Sequence, residues 1–350
     1  MRRAAFAVAL MSAALTLASC GPRRERQGDP TVTQAELPAA FTIQEVSPRF
    51  IVASGDPRAT RFGAGSPHGL LVVDRAHSGG SAATGTLLTF PQPALFWLAL
   101  EDAVVTSSGT AFYRYDPVSG DGVWLPKSPR SSIPLYHSLG PDRKTLAYVT
   151  KHAEANRVVD LLFVFNLRDG SWRELGVDLG SYGVAWMDDE RLLVVGNRAV
   201  FEVDVSTGVA TPFDVGVDFD RFRLSDPVWD PDRGRWLFRA EPRFEDDGDH
   251  PRIVDHAGTV VWDDARLAGV RCCECGPCIG NTKSGTIAWR DPDSGVVREA
   301  TLPGGTRANV TPVVLDVVGD TEAIVATASG VFSLTLNADN GIDVSTILLR

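Results

Sequence analysis

The chain has 350 residues, 44% of them hydrophobic, and is rich in glycine (33) and proline (22). That much apolar content supports a packed core and excludes a disordered chain, and the length exceeds one small sandwich. The formal net charge of −10, without a basic stripe, argues against a nucleic-acid ligand and against electrostatic binding to anionic lipid.

In chain order, Arg2 and Arg3 precede an uncharged, mostly apolar run from Ala4 to Leu17. The run is too short for a permanent bilayer span and reads as a signal peptide over 1–19. It ends in Leu17-Ala18-Ser19-Cys20. These residues resemble the lipobox of bacterial lipoproteins, a branched apolar residue and two small ones before cysteine. The resemblance implies acylation at Cys20 and cleavage before it. Several acyl chains on one residue suffice for stable anchoring. Gly21, where an aspartate would imply inner-membrane retention, leans toward the outer membrane. Residues 20–40 are polar and irregular and read as the lipidated cysteine and a flexible tether.

From about Phe41 to Arg350 the apolar residues come in short bursts, which predicts an all-β domain. One pattern recurs: an apolar strand, then Asp or Asn, then a turn with glycine, then another strand. The clearest copies are Phe112–Gly120, Leu162–Gly170, Phe201–Gly208, Ile287–Gly295 and Leu334–Gly341; Leu71–Asp74 and Ile253–Gly258 are weaker. Asp or Asn caps such a turn with its own side chain, and glycine supplies the positive φ that closes it. The Asp/Asn positions 74, 116, 166, 204, 255, 291 and 337 are about 44 residues apart on average, the period of propeller blades. A second strand pair precedes several copies, as in Leu139–Val149, Val184–Val194 and Val228–Phe238.

Together these segments resemble TolB-type and WD40-like β-propellers, and Gly140-Pro-Asp-Arg-Lys144 is similar to their Ser-Pro-Asp-Gly-Lys turn. The resemblance implies a single β-propeller over 41–350, with seven four-stranded blades; six or eight remain open, and two tandem sandwiches are the rival. Trp186, Trp229, Trp236 and Trp289 fall in or beside the strands and are expected to pack between blades.

Four cysteines crowd into Cys272, Cys273, Cys275 and Cys278. In an oxidising compartment an even number implies disulfides, here a stapled hairpin or loop. Three pairings are open, and one joining Cys273 to Cys275 would be strained. A thiol or metal role competes. However, Cys275-Gly-Pro-Cys278 lacks the following helix of a redox motif, and four ligands within seven residues wrap poorly around one ion. Glu245–His250 lacks the spacing of a calcium loop. The six histidines (68, 77, 137, 152, 250, 256) are scattered, Ser66 and His68 form no nucleophile elbow, and no phosphate or dinucleotide motif occurs. The expectation is therefore a non-enzymatic, membrane-anchored binding platform with no cofactor and an envelope protein as partner. A hydrolase or lyase with its site at the channel mouth is the alternative.

Overall fold

The computed structural model describes the chain from Gly28 to Leu349. The exceptions are 37–41, 48, 55–68, 75–83, 92–93, 95, 108–110, 155–156, 177–179, 245–249, 273–277, 283, 292, 303–312, 319–320, 328–329 and 338–340. Among the described residues there are 29 strands and no helix.

β1 (Thr31–Glu36) stands apart; the others fall into seven consecutive groups of four. Blade 1 is β2 (Thr42–Val46), β3 (Phe50–Ser54), β4 (Gly69–Asp74) and β5 (Thr84–Thr89). Blade 2 is β6 (Phe96–Ala99), β7 (Val104–Ser107), β8 (Ala111–Tyr115) and β9 (Gly122–Pro126). Blade 3 is β10 (Tyr136–Leu139), β11 (Thr145–Glu154), β12 (Arg157–Asn166) and β13 (Trp172–Glu174). Blade 4 is β14 (Gly183–Trp186), β15 (Arg191–Val195), β16 (Val200–Asp204) and β17 (Ala210–Phe213). Blade 5 is β18 (Phe222–Asp230), β19 (Arg235–Pro242), β20 (Arg252–Asp255) and β21 (Val260–Asp263). Blade 6 is β22 (Leu267–Cys272), β23 (Cys278–Thr282), β24 (Ile287–Arg290) and β25 (Val297–Ala300). Blade 7 is β26 (Val313–Val318), β27 (Glu322–Thr327), β28 (Gly330–Leu336) and β29 (Ile342–Leu349).

Each sheet is an antiparallel meander, and the blades close into a ring, with β2 of the first touching β26 of the last. This is a seven-bladed β-propeller. The ring closes by packing, since every blade draws its four strands from one stretch of chain. The sequence reading of 20–40 as a tether differs from the structure over Thr31–Glu36. Its alternating Thr-Val-Thr pattern suits a pleat, and β1 adds to the outer edge of blade 1 by pairing with β5.

The core is a set of seams between blades. Phe112, Phe165 and Tyr148 fill the seam of blades 2 and 3. Trp186 lies between blades 3 and 4, Trp236 between 4 and 5 with Trp229 packed against it, and Trp289 between 6 and 7. The tryptophans pack between blades as expected. A blade alone leaves both faces bare, so stacking supplies the burial.

All seven Asp/Asn positions end, or directly follow, the third strand of a blade. Asp116 Oδ1 accepts the backbone N–H groups of Val118 (2.8 Å) and Ser119 (3.3 Å), and Gly120 takes φ +79°. Asn166, Asp204 and Asp291 repeat the arrangement, with Gly170, Gly208 and Gly295 at φ +75°, +75° and +69°. The first-to-second-strand turn of blade 3 departs from its likeness. Arg143, standing where the similar turn has glycine, adopts φ +55°, while Asp142 accepts the N–H groups of Lys144 and Thr145. These turns form the lower rim. The second-to-third-strand loops and the connections between blades form the upper face.

Candidate functional site at the channel mouth

The inner strand of each blade begins at the upper face, directly after an inter-blade connection. In blades 3, 4 and 5 these starts bring together Tyr136, Tyr182 and Arg223. Asp160 organises them. Its side chain is almost fully buried; one carboxylate oxygen accepts Lys151 Nζ at 2.8 Å and the other the Ser181 N–H at 2.6 Å. The second bond fixes the connection that carries Tyr182. The Tyr182 ring stands edge-on to Tyr136, centroids 6.5 Å apart, and the Arg223 guanidinium lies 4.9 Å above it.

Arg223 is exposed and, among the described residues, makes no hydrogen bond or ion pair. Cation–π stacking holds its plane while leaving its five N–H donors open. The hydroxyls of Tyr136 and Tyr182 likewise have no hydrogen-bond partner among the described residues. Burial, reinforced by the Tyr182 ring and by Asp160, pushes the Tyr136 hydroxyl above the usual phenol range, so it stays protonated and can donate.

Two carboxylates share the hairpin with Arg223: Glu241, opposite it in the β18–β19 register, and Asp226, three residues on. Asp226 sits where the β18–β19 register shifts between Ser225 and Val228 and holds φ +49°, a left-handed conformation that Asp tolerates better than most non-glycine residues. The following Pro227 packs on Gly183 of β14, where a Cβ would stand 2.8 Å from Pro227 Cδ. Gly183 thus lets the two inner strands approach. Arg239 spans Glu241 (2.5 Å) and Asp226 (3.9 Å) and is itself paired. Below, a crevice of about 10 Å³ between Asp226, Arg239, Val270 and Cys272 has room for roughly one water.

A second polar group is buried in the connection from blade 2 to blade 3. Lys127 donates to Ser107 Oγ (2.9 Å) and the Ser132 carbonyl (2.8 Å), and its amine lies 4.8 Å from the Phe112 ring centre. Burial pushes its pKa down to about 7.

Of the residues singled out from sequence, Cys272 and Cys278 are cross-strand partners at the lower end of β22 and β23 and form a disulfide, the stapled hairpin. Cys273 and Cys275 lie outside the described residues, as do Cys20, Ser66, His68, His77 and most of Glu245–His250. His250 bonds Asp263, His256 Nδ1 accepts the Trp236 N–H at 3.3 Å, and His137 packs edge-on to Phe96. Among the described residues no group of three His, Cys, Asp or Glu is placed to hold a metal.

Sequence reasoning missed Tyr136, Tyr182, Arg223, Asp226 and Lys127. Asp226-Pro227 inside a strand was the one local signal, since proline there marks a bulge.

No family model and no curated protein matches the chain. Solved structures do. An oligogalacturonate lyase from Vibrio parahaemolyticus superposes with a TM-score of 0.54 over 89% of this chain and 100% of that one, at 8% identity. The β-propeller domain of Cps50 (Swd1) from Myceliophteria thermophila gives 0.48 over 72% and 86%, at 11% identity. At such identities the likeness shows the fold alone.

Proposed function

We propose that this chain is an exported lipoprotein, acylated at Cys20 and held at the outer membrane, whose propeller is a non-enzymatic platform for an envelope protein. The observation that carries this reading is the ordered run Leu17-Ala18-Ser19-Cys20 behind a positively charged apolar segment, ahead of a short polar stretch and the propeller. A rigid disc with loops on both faces suits protein recognition. The mouth supports the same reading, because aromatic and arginine side chains dominate binding hot spots. Nucleic acid is no partner on this reading.

Two measurements test it. Cells fed radiolabelled palmitate should label the wild-type chain and not C20S, and fractionation should move C20S out of the membrane. Affinity capture of the acylated protein from solubilised envelopes should retain a specific partner. An unlabelled chain refutes the anchor. Steady turnover of a small substrate that depends on mouth residues refutes the non-enzymatic role.

A further inference from the structure

We infer that the upper face is turned toward the membrane, and that Arg223 at its channel mouth receives the carboxylate of an acidic residue in an extended segment of a membrane-anchored protein. The partner's location rests on the lipoprotein reading above; the chemistry of Arg223 does not.

The orientation follows from strand direction. Thr31 opposes Thr89, the last residue of β5, and β5 ends at the upper face, where the connection to blade 2 begins. The chain preceding β1 therefore leaves from the upper rim. It is pinned there: Pro30 is buried, and Asp29 Oδ1 accepts the Trp124 indole N–H at 3.1 Å. The eight Cα–Cα steps from Cys20 to Gly28 reach at most about 29 Å. That distance brings the upper face close to the bilayer, whereas the lower rim would need the same chain to run the depth of the disc first.

The ligand class follows from Arg223. A guanidinium with a fixed plane and five open donors is built for a bidentate carboxylate. The Tyr136 and Tyr182 hydroxyls add neutral donors beside it. Asp226 and Glu241 add acceptors within the same mouth, which suits the backbone N–H groups of an extended peptide. A membrane surface fits less well. It is a dense anionic field, and this chain is acidic overall.

The test places a photoreactive residue at Ser225, on the channel side, or at Asp232, in the lower rim, of the full acylated protein in its own membranes. From Ser225 we expect an adduct with a membrane-anchored protein, the linked peptide carrying Asp or Glu in an extended run. R223E should reduce that adduct tenfold or more, and R223K should fall between. Changing the partner's acid to Arg should restore it to R223E. Arg223 is exposed, so folding is unaffected, which the melting temperature checks.

Absence of a Ser225 adduct, adducts insensitive to R223E, or adducts from Asp232 alone would overturn the assignment. So would Arg223-dependent binding of unacylated C20S chain to vesicles of phosphatidylglycerol and phosphatidylethanolamine, which would assign the mouth to headgroups. A charge-rescued adduct with no palmitate on Cys20 would refute the anchor and leave Arg223 in its role.

Discussion

The lower rim and the upper face of this propeller are built by different rules. Below, the third-to-fourth-strand turns at Asp116, Asn166, Asp204 and Asp291 are each solved within five residues: an Asp or Asn side chain caps and a glycine reverses the chain. Above, Arg223 depends on Tyr182, Tyr182 on the Ser181 N–H, and that on Asp160 and Lys151, so one guanidinium is set by residues from three blades. Stability is written locally and repeats; the proposed recognition site is written across three blades. Substitutions in the lower rim should therefore move the melting curve and spare binding, and those above should do the reverse.

Lys127 tests the rule from its exception, since it lies in an upper connection yet is buried. Its folded pKa, about 7, lies below its unfolded value. Between those values the unfolded chain holds a proton that the folded chain has lost, so stability rises with pH through that window. Below about pH 7 the buried charge is present and its cost is complete. Urea midpoints should give a climb on the order of 3 kcal/mol between pH 7 and 10 that Lys127→Met lacks. Equal slopes in the two proteins would refute the assignment.

Gly208 and Gly120 separate backbone strain from collision. Both hold φ near +75°, but a Cβ on Gly208 would stand 2.9 Å from the Leu175 carbonyl, whereas Gly120 has open space. Gly208→Ala should cost about 2–3 kcal/mol and Gly120→Ala about 1 kcal/mol, read from denaturation. Equal losses would show that the seam yields to the extra methyl. Arg143→Gly should do the opposite and gain up to about 1 kcal/mol, by relieving a left-handed non-glycine residue. Tyr182→Ala removes a half-buried ring and its contacts to Tyr136 and Arg223 and should cost about 1 kcal/mol. Yet it should weaken the Ser225 adduct about as much as R223E does. A large stability loss with the adduct intact would erase the distinction between the faces.

The same contrast explains what could be read from the chain. The turn positions from Asp74 to Asn337 mark the third strand of every blade, because capping and positive φ act over four or five residues and leave a spaced trace. A stapled hairpin was legible from the cysteine count, but Cys272–Cys278 belongs to the pairing that the sequence disfavoured, the one whose other bond would join Cys273 to Cys275; the register that makes Cys272 and Cys278 opposite neighbours overrode that spacing argument. β1 escaped notice, because six mostly polar residues after a proline resemble a linker until β5 is there to pair with. The mouth was illegible for a geometric reason. Tyr136, Tyr182 and Arg223 are more than forty residues apart and share no motif, only the first position of an inner strand or the one beside it. Asp226 betrays itself only through Pro227.

β1 has a mechanical consequence. As a fifth strand on the rim of blade 1, it lies outside the ring that the other 28 strands complete. On the lipoprotein reading proposed above, load on the leader would reach the disc first through the six paired positions of β1 and β5 and the Trp124–Asp29 clasp. Peeling that strip off would lengthen the leash and relax the strain while every blade keeps its four strands.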